Sequence, residues 1–152
     1  MESRKLEIKA AIQISKTARE VFEGIVEPVH MTHYFISEST GRMEEGRELV
    51  WRFPEYDMNV PVRVGKVEQD RLVTFHWGDP GKETEVRIGL APFGEGNKTT
   101  VVRVTEGTMD LGEEGINWLI SNTEGWANFV ACLKAYLEYG INLRRGAFDF
   151  RA

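Results

Sequence analysis

The sequence contains one cysteine, three histidines and no long apolar run. A single cysteine, Cys132, excludes any disulfide within the chain, so burial of apolar side chains must stabilise the fold. No stretch reaches the roughly 18 consecutive apolar residues of a membrane-spanning helix. The opening MESRKLEIKA also lacks the apolar centre of a secretion signal. We therefore expect a cytoplasmic protein that does not insert into membranes.

Positive charge is also scarce, since 19 Lys and Arg stand against 24 Asp and Glu. A nucleic-acid-binding protein needs a basic patch that displaces counterions, so we expect no nucleic-acid partner. What the sequence does contain is 41% hydrophobic and 28% charged residues, a composition typical of globular proteins. A chain of 152 residues has room for one domain with a sizeable core. We interpret residues 1–152 as a single domain.

Alternation of apolar and polar residues predicts a series of strands. The first covers residues 5–14, and the others follow one another between Ser37 and Met109, in RELVWRF, MNVPVRVGKVE, RLVTFHW, TEVRIGL and TTVVRVTE. Short turn-like segments separate the later strands, such as Gly78-Asp79-Pro80-Gly81. Connections this short favour an antiparallel meander.

Helical spacing appears on both sides of the meander. The segment after the first strand predicts two short helices, the first capped by Ser15 or Thr17 and the second begun by Pro28. After Met109, two capping-box spacings predict a short helix followed by a long one: Asp110 with Glu113, and Ser121 with Glu124. The long helix carries an apolar stripe and is expected to end at Gly140. The stripe comprises Trp126, Phe129, Val130, Leu133, Leu137 and Ile141.

These elements predict an α+β fold, because a one-sided antiparallel sheet needs a cover and an amphipathic helix needs an apolar surface. We expect a curved antiparallel sheet wrapped around a long C-terminal helix. The two short helices should close one end of it.

Three segments resemble the START-like (Bet v 1-like, helix-grip) superfamily: AAIQISKTAREVFEGIVEP, RLVTFHW and GWANFVACLKAYLEYG. They are most similar to the branch represented by the C-terminal domain of the activator of Hsp90 ATPase. The resemblance covers about residues 5–141 and departs from the branch at Tyr34 and Phe35, where members commonly carry tryptophan. It implies a cavity between the sheet and the terminal helix, and it implies no universal catalytic residue.

Few residues carry recognisable site chemistry. His30 and His33 form an H-x-x-H pair, but a zinc site needs three or four ligands and no third accompanies them, so we expect no metal. Cys132 has no identifiable base beside it and is interpreted as a buried filler. The segment GEGNKTT has the wrong spacing for a phosphate-binding loop and is interpreted as a hairpin turn. We expect no cofactor and assign no catalytic residue.

Aromatic and aliphatic side chains on the inward faces form the candidate ligand-binding set. Its members are Phe35, Trp51, Phe53, Phe75, Trp77, Trp126, Phe129, Val130 and Leu133. Two interpretations stay open, because such residues either fill a core or line an apolar cavity.

Three functions follow from these interpretations. The leading hypothesis is non-catalytic binding of a hydrophobic or lipid-like small molecule. The first alternative is a stress-response interaction module acting as a co-chaperone on an Hsp90-type partner. A homodimer through an edge strand or the helix pair is a further option. The second alternative, a cyclase- or hydrolase-type enzyme, requires a polar group inside the cavity.

Overall fold

The computed structural model describes residues 4–151 and contains a first strand, two short helices, a series of strands and a C-terminal helix. The strands are β1 (Lys5–Ile14), β2 (Glu38–Ser39), β3 (Glu48–Arg52), β4 (Val60–Glu68), β5 (Leu72–Trp77), β6 (Thr84–Phe93) and β7 (Thr99–Asp110). The helices are α1 (Ala18–Val26), α2 (Pro28–Met31) and α3 (Glu113–Tyr139). The α+β prediction is therefore confirmed.

All seven strands form one antiparallel sheet in the order β1-β7-β6-β5-β4-β3-β2. Strands β3 to β7 form the predicted meander, whereas the two-residue strand β2 was not predicted. Strand β1 pairs along β7 from Lys5↔Asp110 to Ile14↔Thr100. The register shifts between Leu6 and Glu7 in β1 and between Val64 and Val67 in β4. Such irregularities bend a sheet, which here curves around α3. This arrangement confirms the helix-grip prediction.

The two short helices form as their sequence predicts. Thr17 caps α1 in a capping box, in which its hydroxyl accepts from the Glu20 amide and the Glu20 carboxylate accepts from the Thr17 amide. Pro28 occupies the first turn of α2, where its missing N–H costs nothing. Tyr34, just beyond α2, is buried and donates its hydroxyl to the carbonyl oxygen of Gly24 at 2.8 Å. This hydrogen bond joins the segment after α2 to α1.

The C-terminal helix differs from the prediction, because α3 is one continuous helix of 27 residues rather than a short and a long one. Ser121 and Glu124 lie inside it, so their spacing is not a helix start. Residues three apart are also neighbours on the surface of any helix. A Ser-x-x-Glu pattern therefore fits both a helix start and a position inside a helix. The helix begins after Gly112 without a side-chain cap.

The prediction of the apolar stripe on α3 is correct except at its C-terminal end. Trp126, Phe129 and Leu133 are buried against the sheet. Gly140 ends the helix with a φ of 66°, the left-handed conformation that favours glycine. Ile141 therefore lies beyond the helix and is exposed, so its assignment to the stripe was wrong. Within residues 4–151, no helix is both long and apolar enough to cross a membrane.

Candidate functional site

A cleft of about 320 Å³ lies at one end of the sheet, where β3 and β5 end and β4 begins. The middle of α3 forms one wall, and the segment after α3, residues 140–151, folds back along the mouth. Six aromatic rings dominate the lining: Phe35, Phe53, Tyr56, Trp77, Trp126 and Phe148. Met58, Val60 and Gly125 complete the apolar part. The cleft is thus a mostly apolar concave surface, as small-molecule sites usually are.

Four of the nine candidate binding residues lie on this lining, namely Phe35, Phe53, Trp77 and Trp126. The other five lie in the packed core behind it and do not line the cleft: Trp51, Phe75, Phe129, Val130 and Leu133. Phe35 joins the two groups, since its ring meets Phe129 edge-on at 4.7 Å and Phe53 at 5.4 Å between centroids. The open space therefore lies at the end of the sheet–helix interface, and side chains fill the interface at those five positions.

Glu106 of β7 is a buried carboxylate directly behind the cleft wall, with 1% exposure. Its Oε1 accepts from the indole Nε1 of Trp126 at 2.8 Å and from Asn122 Nδ2 at 3.1 Å. Its Oε2 accepts from Trp77 Nε1 at 2.9 Å and from the Thr84 hydroxyl at 2.5 Å. Each oxygen of Glu106 therefore takes part in two hydrogen bonds. Because three of the four donors belong to residues of the lining, Glu106 fixes the orientation of the wall.

Sequence reasoning missed Glu106, although a signal was present. Val102 and Val104 alternate inward along β7, and the same period of two places Glu106 on the inward face. The predicted inward residues of β7 end at Val104, because an acidic side chain is rarely buried unless it is paired. The donors that compensate it come from β5, β6 and α3, which are distant in sequence.

The segment after α3 contributes a second buried polar group, the ion pair between Arg144 and Glu55. The Arg144 Nη2 donates to Glu55 Oε1, and the two side chains are 14% and 4% exposed. The Arg144 guanidinium lies 5.7 Å from the centroid of Phe53 and 5.1 Å from that of Phe148. The pair and the ring contacts together fasten the segment over the cleft.

Arg151 makes the same two kinds of contact, one with the Phe148 ring and one with a glutamate. Its guanidinium lies 4.5 Å from the ring centroid, and its Nη2 donates to Glu124 Oε1 at 2.7 Å. Arg144, Phe148 and Arg151 all line the cleft. The predicted core ended near residue 141, so this set was also missed. The segment INLRRGAFDFRA has neither helical nor strand periodicity from which an inward face could be predicted.

The histidines and the cysteine lie outside the cleft. His30 Nδ1 is 2.7 Å from the Tyr136 hydroxyl, and the ring of His33 stacks on Tyr136. His76 lies beside Glu85. Among residues 4–151, no group of three or more His, Cys, Asp or Glu side chains could hold a metal ion. Cys132 is buried, as interpreted from the sequence, and burial raises the pKa of its thiol.

Seven antiparallel strands that grip a long C-terminal helix define the helix-grip class of the START-like superfamily. The model of the family described as activator of Hsp90 ATPase homolog 1-like protein matches residues 15–138. The chain belongs to this family, as its sequence segments indicated. No curated protein matches the sequence significantly.

Solved structures show the same fold. A Staphylococcus saprophyticus protein is 30% identical with a TM-score of 0.78, over 91% of this chain and 96% of the other. The Aha1 dimer from Colwellia psychrerythraea is 18% identical with a TM-score of 0.76, over 89% of this chain and 98% of the other. DynU16, a protein of the dynemicin biosynthetic locus, is 24% identical with a TM-score of 0.76, over 90% of this chain and 48% of the other.

Proposed function

We propose that the chain acts in the cytoplasm as one domain that binds a hydrophobic small molecule in the cleft and releases it unchanged. The observation that supports this proposal is the lining itself, which consists mainly of aromatic rings around about 320 Å³ of open space. Flat rings present large apolar surfaces with little freedom to lose on binding, which favours a flat or aromatic ligand.

The size of the cleft limits the affinity of a purely apolar ligand. Burying about 250 Å² of ligand surface contributes roughly 6 kcal/mol before the cost of association is subtracted. We therefore expect dissociation constants no tighter than about 40 µM, and closer to 1 mM, for simple aromatic probes. A tighter natural ligand needs polar contacts in addition.

The polar groups of the lining support binding rather than catalysis. They are Ser121, Asn122, Asn128, Arg144 and Arg151, together with the hydroxyl of Tyr56. Among the described residues, no Asp, Glu, His or Cys side chain lines the cleft, and these groups perform most acid–base and nucleophilic chemistry. Glu106 is close, but its four hydrogen bonds already engage both oxygens.

Filling the cleft tests the proposal. Gly125 lies on the α3 wall, and a Cβ added there meets no atom within 4 Å. Leucine is also a better helix former than glycine by roughly 0.5–1 kcal/mol, so Gly125→Leu should fold. We expect the wild-type protein to bind 2-naphthaleneacetic acid or its neutral amide, measured by calorimetry and by tryptophan fluorescence. The variant should bind the same probe at least tenfold more weakly.

Ala127→Leu is the matched control, because Ala127 is exposed on the same helix and does not line the cleft. It should bind like the wild-type protein. If neither naphthalene probe binds the wild type, or if Gly125→Leu binds as well as Ala127→Leu does, the cleft is not the proposed site.

A second candidate function is a protein-interaction module, the co-chaperone or stress-response alternative. Large apolar side chains are exposed around the end of α3, including Tyr139, Ile141 and Phe150, the last at 79% exposure. Family membership and the dimer of the Colwellia relative favour a chaperone-type partner or a second copy of the chain. Absence of probe binding, with association of the chain in sedimentation experiments, would support this candidate over the first.

A further inference from the structure

We propose that the ligand of the cleft is an apolar acid, with its carboxylate bound by Arg144 and Arg151 and its apolar body against the aromatic wall. This inference rests on the proposed function and names the chemical class of the ligand. It follows from the charges at the cleft, which are opposite in sign to the charge of the protein.

The whole chain has a formal net charge of −5, yet the only charged side chains on the described lining are two arginines. The neutral polar groups beside them include the amides of Asn122 and Asn128, which can donate hydrogen bonds. The lining therefore combines positive charge and hydrogen-bond donors with aromatic rings. This is the complement of a carboxylate on an apolar body.

Each arginine keeps N–H donors that its carboxylate partner does not engage. Arg144 donates through Nη2 to Glu55, while its buried Nε has no hydrogen-bond partner among the described residues. A guanidinium has five N–H donors, so Arg144 keeps donors for a second acceptor.

At Arg151, a ligand carboxylate has to compete only with a weakly bound one, that of Glu124. Its partner Glu124 is 60% exposed, and an ion pair to an exposed carboxylate contributes little because water screens it. A carboxylate bound inside the cleft is less exposed to water and competes well with Glu124 for the guanidinium. Phe148 lies within cation–π distance of both guanidinium groups, 5.1 Å from Arg144 and 4.5 Å from Arg151, so both cations contact the same ring of the lining. The two cations thus form a pre-organised end of the cleft.

A matched pair of probes tests the inference: 2-naphthaleneacetic acid and 2-naphthaleneacetamide, which share the ring system and differ in charge. We expect the wild-type protein to bind the acid at least tenfold more tightly than the amide at neutral pH, measured by calorimetry. Arg151→Gln leaves only an exposed carboxylate behind and should reduce the preference for the acid several-fold. Arg145→Gln is the control, since Arg145 is exposed and does not line the cleft; it should leave the preference unchanged.

Arg144 requires a paired change, because removing it alone would leave Glu55 buried without its cation. The double variant Arg144→Gln/Glu55→Gln removes both charges of the pair. Adding Arg151→Gln gives a triple variant, in which the preference for the acid should fall below about twofold. Equal binding of acid and amide to the wild type would overturn the acid inference. If Gly125→Leu then bound neither probe, the proposed function would still stand, because the cleft would still be the binding site. A preference for the acid that survives in the triple variant would also overturn the acid inference. Binding of neither probe would overturn both.

Discussion

Glu106 shows how one buried residue organises the cleft wall. Its carboxylate is enclosed by the indoles of Trp77 and Trp126, the amide of Asn122 and the hydroxyl of Thr84. Each carboxylate oxygen has two of these four partners. Burying a charge is costly unless hydrogen bonds replace the lost water, and here four of them do. The same bonds hold two tryptophan rings at the angle from which they line the cleft.

Glu106→Gln should destabilise the protein by about 2–4 kcal/mol, because glutamine has one acceptor oxygen and turns an NH₂ group towards donors. Chemical denaturation measures the free energy of unfolding, and near-ultraviolet circular dichroism reports the reorientation of Trp77 and Trp126. Glu85→Gln on the neighbouring strand is the control. Its carboxylate contacts the half-exposed Arg87 and His76, so its loss should cost less than about 1 kcal/mol. Equal effects of the two substitutions would contradict the role of Glu106.

The helix α3 contains two glycines whose surroundings are opposite. Gly115 packs against the end of β7, where an added Cβ would lie 2.1 Å from the carbonyl oxygen of Asp110. Gly125, ten residues further on, faces the open cleft and has no neighbour within 4 Å of that position. The first glycine lets the helix start close to the sheet, and the second leaves the cleft open at this point of its wall.

Alanine at the two positions should therefore have effects of opposite sign. Gly115→Ala must displace backbone and should cost about 1–3 kcal/mol of unfolding free energy. Gly125→Ala should stabilise the protein by roughly 0.5–1 kcal/mol through helix propensity alone. Thermal and urea denaturation of both variants measure the difference. Destabilisation by Gly125→Ala would mean that the α3 wall is not open as described.

At the scale of the whole molecule, periodicity predicted the architecture well. Alternation along Lys5–Ile14 and along the meander identified the inward face, and the apolar stripe of α3 identified its partner. These predictions succeed because burial on one face leaves a pattern within a few consecutive residues. The boundary between one helix and two could not be predicted, since Ser121 and Glu124 fit both the start and the interior of a helix.

The cleft was harder to predict, because it depends on contacts between distant parts of the chain. Periodicity reports that Trp51 and Trp77 both face inward, but not that one is enclosed while the other borders open space. Arg144 meets Glu55 across 89 positions of sequence. No local pattern encodes such a pair, so the cationic end of the cleft is visible only in the fold.

The most direct test of the central claim uses the indole N–H resonances of the four tryptophans in a nitrogen-15 NMR spectrum. Trp77 and Trp126 line the cleft, whereas Trp118 lies elsewhere on α3 and serves as the internal control. Titration with 2-naphthaleneacetic acid should shift the Trp77 and Trp126 signals in a saturable manner and leave Trp118 unchanged. Saturable shifts at Trp118 alone, or no shift at any indole, would contradict the assignment of the cleft as the binding site.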